Sequence, residues 1–301
     1  MLARLALLAF TLSMLPARIA APADVESWLA EGQPPLVIAH RSAEIGRLPD
    51  NTLAWIEAAI ALGVDALHVN PQQTADDGYV LMHDNTLNRT TDVEAVFPDG
   101  PPGGPTRQQR GGRDYVRDYT AADIARLRIT DSAGVVHPVP TLHEALDLVG
   151  GRVVVQLGLK TYEAESLAEA LRGRDPDGLL LMELYSAGSD QSRLRALADR
   201  TGIGVAASLY RSRDYLADFE ALHAQIGPAL RMVSVRSAGV TPAFLATVSE
   251  RGVRVAISGW DGGEDSALVY KDDPGPWRAA LAHGFSALTD QPERLLTALG
   301  R

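Results

Sequence analysis

Eight side chains able to do chemistry stand at or just past the ends of short apolar runs. They are His40 and Arg41 after LVIA, His68 and Asn70 within ALHVN, His83 and Asp84 after YVLM, Lys160 after VVVQLGL, and Asp290 after SALT. A lone histidine at a strand end is as a rule a satisfied structural residue. Three of them beside a guanidinium and an ammonium form a set suited to an anionic ligand, with imidazoles placed to move protons near neutral pH. Rival chemistries leave no comparable trace: there is no G-x-S-x-G elbow, no G-x-x-x-x-G-K-[ST] phosphate loop, no H-E-x-x-H helix and no G-x-G-x-x-G after the first strand. With zero cysteines, a thiolate nucleophile, a thiolate zinc site and a disulfide framework are excluded.

The elements that must position these groups alternate strand and helix. LVIAH (36–40), the helical NTLAWIEAAIALG (51–63) with Gly63 as its stop, and VDALHV (64–69) make a β-α-β unit. The rhythm returns at 152–160, 178–185, 202–209, 230–235, 252–260 and 284–290. Near-continuous apolar strands separated by helices imply a parallel sheet buried on both faces, and eight or nine such strands favour a closed TIM-type (β/α)8 barrel. In that fold the reactive side chains belong at the C-terminal strand ends, where the eight residues above lie.

One unit breaks the rhythm. The stretch between ALHVN and YVLMHD is too short for a helical crossover, so a hairpin is predicted. A turn centred on Asp76 and Asp77 would set Asn70 opposite His83. Residues 93–118 are rich in Pro and Gly without a period and read as a long loop, able to act as a lid. The basic run RQQRGGR (107–113) falls inside it and reads as a solvated loop. A formal net charge of −10 argues against a nucleic-acid partner. Residues 1–23 have the build of a secretory signal, with Arg4, an apolar run too short to span a bilayer, and a small-residue end at Ala21–Ala23. The expectation is a periplasmic or secreted protein whose barrel domain occupies 24–301, with no stable membrane span once the signal is cleaved.

The segments IAHR, LPDNTLAWIEAAIALGVDALHVN and HDNTLNRTT, followed by VPTLHEALDL (139–148), Lys160 and GFSALTDQPERLL (284–296), resemble the glycerophosphodiester phosphodiesterase family. The resemblance implies a TIM-type barrel that hydrolyses a small-molecule glycerophosphodiester to glycerol 3-phosphate and an alcohol, as a rule with Ca²⁺ or Mg²⁺. It places the two acid–base histidines on His40 and His83 and the phosphate-binding cations on Arg41 and Lys160. Structural roles for the two cations, tying a loop or capping a strand end, stay open at this stage.

The departures fall on the metal. Where the family has four acidic positions, this chain has Asp50, His68, Asn70 and Gly158, so one carboxylate survives. Ca²⁺ and Mg²⁺ require several oxygen ligands, which leaves the inherited site weak or absent. Three readings follow: a hydrolase that works with little help from metal, a softer ion held by Asp50, His68 and Asn70, or a catalytically impaired barrel that binds a phosphorylated ligand or a partner.

Overall fold

The computed structural model describes residues 25, 35–41 and 45–301; the secretory-type opening at 1–23 lies outside them. Eight parallel strands close into a barrel: β1 (Val37–Ala39), β2 (Ala66–Val69), β7 (Val154–Gly158), β8 (Leu179–Leu184), β9 (Gly204–Ser208), β10 (Leu230–Val235), β11 (Arg254–Ser258) and β12 (Ser286–Thr289), with β12 pairing back on β1. The strand positions read from the sequence are those of the barrel.

Parity along each strand divides two cores. Odd-numbered residues such as Val37, Leu67, Val155 and Ile257 pack outward against the helices, while Ile38, Ala66, Val154, Ala206 and Leu288 fill the lumen. Period-two alternation therefore carries His40, His68, Gln156 and Gly158 onto the lumen face, one layer above that apolar floor. The helix Leu53–Leu62 shows how local sequence sets an element: Thr52 Oγ1 accepts from the Trp55 amide at its start, and Gly63 ends it in the left-handed region at φ 88°. That helix buries Trp55, Ile56 and Ala59 against the barrel.

Between β2 and β7 the chain builds a side lobe in place of a helical crossover. The predicted hairpin is present as β3 (Pro71–Gln73) and β4 (Tyr79–Leu81), but Pro71 pairs with Leu81 and Gln73 with Tyr79, one residue away from the expected register. Asp77 takes φ 59° and the Thr74 amide bonds the Gly78 carbonyl at 2.9 Å, so the turn has a single residue, Asp76, at its tip. Asn70 consequently faces Met82, whose amide bonds the Asn70 carbonyl at 2.9 Å, and His83 lies one step beyond. A second hairpin pairs β5 (Arg128–Thr130) with β6 (Val136–Pro138).

The 93–118 stretch is packed within this lobe. Val93, Phe97, Val116 and Tyr119 join Val80, Met82, Leu87, Ile124 and Leu127 in a core of their own. Arg107 ties the stretch together, donating to Asp114 at 2.6 Å and to the carbonyls of Phe97 and Pro98. Short helices at Val93–Val96 and Val116–Asp118 interrupt what reads in sequence as an aperiodic loop.

Candidate active site

The C-terminal rim of the barrel gathers the expected residues in two clusters. In the first, His40 follows β1 and is almost wholly buried, and its amide bonds the Thr289 carbonyl at 2.8 Å. His40 Nδ1 lies 2.7 Å from Asp290 Oδ1, which makes Nδ1 the protonated nitrogen and leaves the lone pair on Nε2. Burial, reinforced by the charge of Arg41, holds the imidazole well below its usual pKa, so it is neutral at pH 7. The indole of Trp260 stacks on it at 5.6 Å and 17°.

Behind Asp290 stands Asp265, a buried carboxylate that the sequence did not advertise. It accepts from the Asp290 amide at 2.8 Å, Thr289 Oγ1 at 2.5 Å and Trp277 Nε1 at 3.0 Å. Asp265 is thus a positioning residue for the Asp290–His40 pair. Burial raises both carboxyls to about 6.

The second cluster centres on His83, which follows β4. Its Nδ1 lies 2.7 Å from Asp84 Oδ1, and Asp84 Oδ2 accepts from Arg89 at 2.5 Å. The Arg89 bond, with help from His83, holds Asp84 down at about 2. Lys160 Nζ donates to His83 Nε2 at 2.9 Å and to the His83 carbonyl at 2.5 Å. Burial and the charge of Arg41 push Lys160 down to about 8, while burial outweighs the Asp84 bond and lowers His83. The two clusters lie within electrostatic reach, since His83, Lys160 and Arg41 each act on the His40 imidazole. Arg41 Nε is buried and has no hydrogen-bond partner among the described residues, an unspent donor at the rim.

Between the clusters lie the positions where the family resemblance implies a metal. His68 Nδ1 bonds Gln156 Oε1 at 3.0 Å, so Nδ1 carries the proton, and Nε2 accepts from Asn70 Nδ2 at 3.2 Å. The same Nδ2 donates to the Gly158 carbonyl at 3.2 Å, and the Asn70 amide donates to Asn51 Oδ1 at 2.8 Å. Asn51 Nδ2 donates in turn to Asp50 at 3.0 Å. Burial and the neighbouring His40 keep His68 neutral. Asp50, His68 and Asn70 are therefore brought together, as a neutral hydrogen-bonded network ending in one carboxylate.

This network does not fit Ca²⁺ or Mg²⁺. The imidazole nitrogen that faces the pocket is already an acceptor for Asn70, and no group of three or more His, Cys, Asp or Glu able to hold an ion occurs among the described residues. The space is filled as well: a Cβ on Gly158 would lie 2.4 Å from both His68 Nε2 and Asn70 Nδ2. A side chain at position 158 and the imidazole at 68 in its present position compete for the same space.

Gln156 completes the network and was not singled out in the sequence, although it stands two residues before Gly158 on the lumen-facing parity and registers directly beside His68. Trp260 lies in the short helix Gly259–Gly262 that follows β11 directly. Asp265, on the helix Glu264–Lys271, has no such signal.

Comparison with known proteins bears on the barrel and on the family the sequence resembles. Residues 40–181 match the model of the glycerophosphoryl diester phosphodiesterase family. The chain is 29% identical over 147 residues to a glycerophosphodiester phosphodiesterase of Caldanaerobacter subterraneus, covering 46% of this chain and 52% of that protein. It is 30% identical over 126 residues to one from Bacillus subtilis, covering 38% and 36%. The chain thus spans about half the length or less of these curated relatives. Among solved structures, a glycerophosphoryl diester phosphodiesterase from Parabacteroides distasonis superposes with TM-score 0.68 at 20% identity over 93% of this chain and 92% of the other. An Oleispira antarctica phosphodiesterase, solved in complex with the product sn-glycerol-3-phosphate, gives 0.64 at 19% identity over 92% and 99%. At these identities the structural likeness establishes the shared barrel.

Proposed function

We propose that the chain is a member of the glycerophosphodiester phosphodiesterase family and that it hydrolyses a glycerophosphodiester to glycerol 3-phosphate and an alcohol without a divalent metal. The observation that carries this reading is the buried His40–Asp290 pair, which presents a neutral imidazole with its basic nitrogen free of the carboxylate. The sn-glycerol-3-phosphate bound by the Oleispira phosphodiesterase supports the same product here.

The substrate phosphate sits between Arg41 and Lys160, whose charges balance the non-bridging oxygens as the bond to phosphorus breaks. His40 Nε2 takes a proton from the attacking water, and Asp290 steadies the imidazolium that forms. The bond from phosphorus to the alcohol oxygen breaks on the opposite side. The departing alkoxide takes its proton from the Lys160–His83 pair, where at pH 7 it resides on Nζ, and His83 Nε2 is in place to relay it. The water thereby supplies one oxygen to the phosphate and, through His40, one proton to the pool that restores the pair.

The neutral network around His68 takes no part in proton transfer. Its work is to fill the metal pocket and brace the end of β2 against β7. The secretory build of residues 1–23 supports action in the periplasm or outside the cell. The reading is tested by measuring glycerol 3-phosphate release from glycerophosphodiesters with the wild type and His40→Ala. Loss of release in the variant supports it; equal release in both overturns it.

A further inference from the structure

We propose that the cleft beside Lys160 is the leaving-group subsite and that it selects an alcohol carrying a second anionic group, such as a further phosphate. The proposal rests on the reading above for the position of the scissile phosphate. The cleft, of about 790 Å³, opens between the end of β7 and the side lobe, and its walls include Asp84, Asn88, Arg89, Arg113, Lys160 and Thr161. Lys160 is the group bonded to His83, so the alcohol that receives their proton departs into this space.

The charge of the walls is lopsided. Both oxygens of Asp84 are engaged, one by His83 and one by Arg89. Lys160 makes its hydrogen bonds to neutral acceptors only, the His83 ring nitrogen and carbonyl. Arg113 is exposed and donates at 3.5 Å to Tyr115 Oη, and it pairs with no carboxylate among the described residues. The acids behind Asn88, Glu94 and Asp114, accept from its Nδ2, and Asp114 is also paired with Arg107. Gly111 and Gly112, at φ 65° and 83°, make the turn that delivers Arg113 to the rim.

A quaternary ammonium head such as choline would meet guanidinium and ammonium groups here, and among the described residues no aromatic face lines the cleft to stabilise it. An anionic group would meet Arg113 and the outer side of Arg89.

The experiment is calorimetric titration of the intact protein with glycerol 3-phosphate, propanediol bisphosphate and hexanediol bisphosphate, for the wild type, Arg113→Gln and Arg113→Glu. At least one bisphosphate is expected to bind roughly fivefold tighter than glycerol 3-phosphate, the size of one partly exposed ion pair. Arg113→Gln should erase that advantage and Arg113→Glu reverse it, with glycerol 3-phosphate affinity unchanged in both. Equal affinities in the wild type, or an advantage indifferent to Arg113, would overturn the subsite. Binding is read without turnover, so a chain that hydrolyses nothing would defeat the proposed reaction and leave this result readable. Where turnover is seen, cleavage of glycerophosphocholine as efficient as that of glycerophosphoinositol phosphate would also overturn the selectivity.

Discussion

His40 and His83 are anchored in opposite ways. His40 belongs to the barrel wall: it is buried, its partner Asp290 ends a neighbouring strand, and Asp265 fixes that partner through three donors. His83 belongs to the side lobe: it is partly exposed, shares Asp84 with Arg89, and leans on Lys160 from the end of β7. In the proposed reaction the base that must be neutral is made by burial, and the proton donor that must stay charged is an amine at the solvent edge. The difference teaches that one half of the site is a property of the fold and the other of local contacts.

Substitutions at the two histidines should expose that asymmetry most strongly. His40→Ala is expected to lower kcat by roughly 10³-fold or more, and His83→Ala by roughly 10²-fold, because Lys160 remains beside the leaving oxygen. Steady-state kinetics of the pair would break the contrast if His83 proved the costlier loss. Their carboxylates should follow the same order. Asp290→Asn replaces the carboxylate by an amide whose N–H can face His40 Nδ1 and favour the wrong tautomer, and should cost roughly 10²-fold, whereas Asp84→Asn should cost roughly tenfold.

The pH profile of kcat/KM sharpens the contrast further. The proposed reaction needs Asp290 ionised and His40 neutral, so activity should fall as pH drops through about 6; it needs Lys160 charged, so activity should fall as pH rises through about 8. Lys160→Met should abolish the upper limb and leave the lower one in place. A profile flat from pH 6 to 9 in the wild type would contradict both assignments.

The smallest effect concerns the pocket between the halves. Gly158→Ala forces a methyl group onto His68 and Asn70 and should destabilise the fold by about 1–3 kcal/mol, seen as a lowered midpoint in chemical denaturation. Adding Ca²⁺ to the wild type should leave its melting temperature unchanged, since a site that binds an ion in the native state alone would raise it.

Legibility in the sequence followed the same division. The barrel was readable because repeated, near-continuous apolar runs separated by helical stretches admit few other architectures, and the ends of those runs carried His40, His68 and Lys160. The hairpin was readable as a hairpin, yet its register slipped by one because Asp77, not a glycine, takes the left-handed conformation and leaves Asp76 alone at the tip. The 93–118 segment hid its order, since it is held by Arg107 bonding to carbonyls and by a side core assembled from distant residues, neither of which has a period. Asp265 was invisible for a similar reason: its three donors come from the start of one helix and the end of β12, and nothing in the local text marks that meeting.

The central claim is a phosphodiester hydrolase whose metal pocket has been filled by neutral side chains while its two histidines stay in service. The most direct test is the initial rate of glycerol 3-phosphate release by chelator-stripped protein, without and with added Ca²⁺, Mg²⁺, Mn²⁺ and Zn²⁺, beside His83→Ala. The account predicts turnover that survives stripping, changes by less than about twofold on adding any of these ions, and falls sharply in the variant. Turnover that appears only with added metal, or that is the same in His83→Ala, would contradict it.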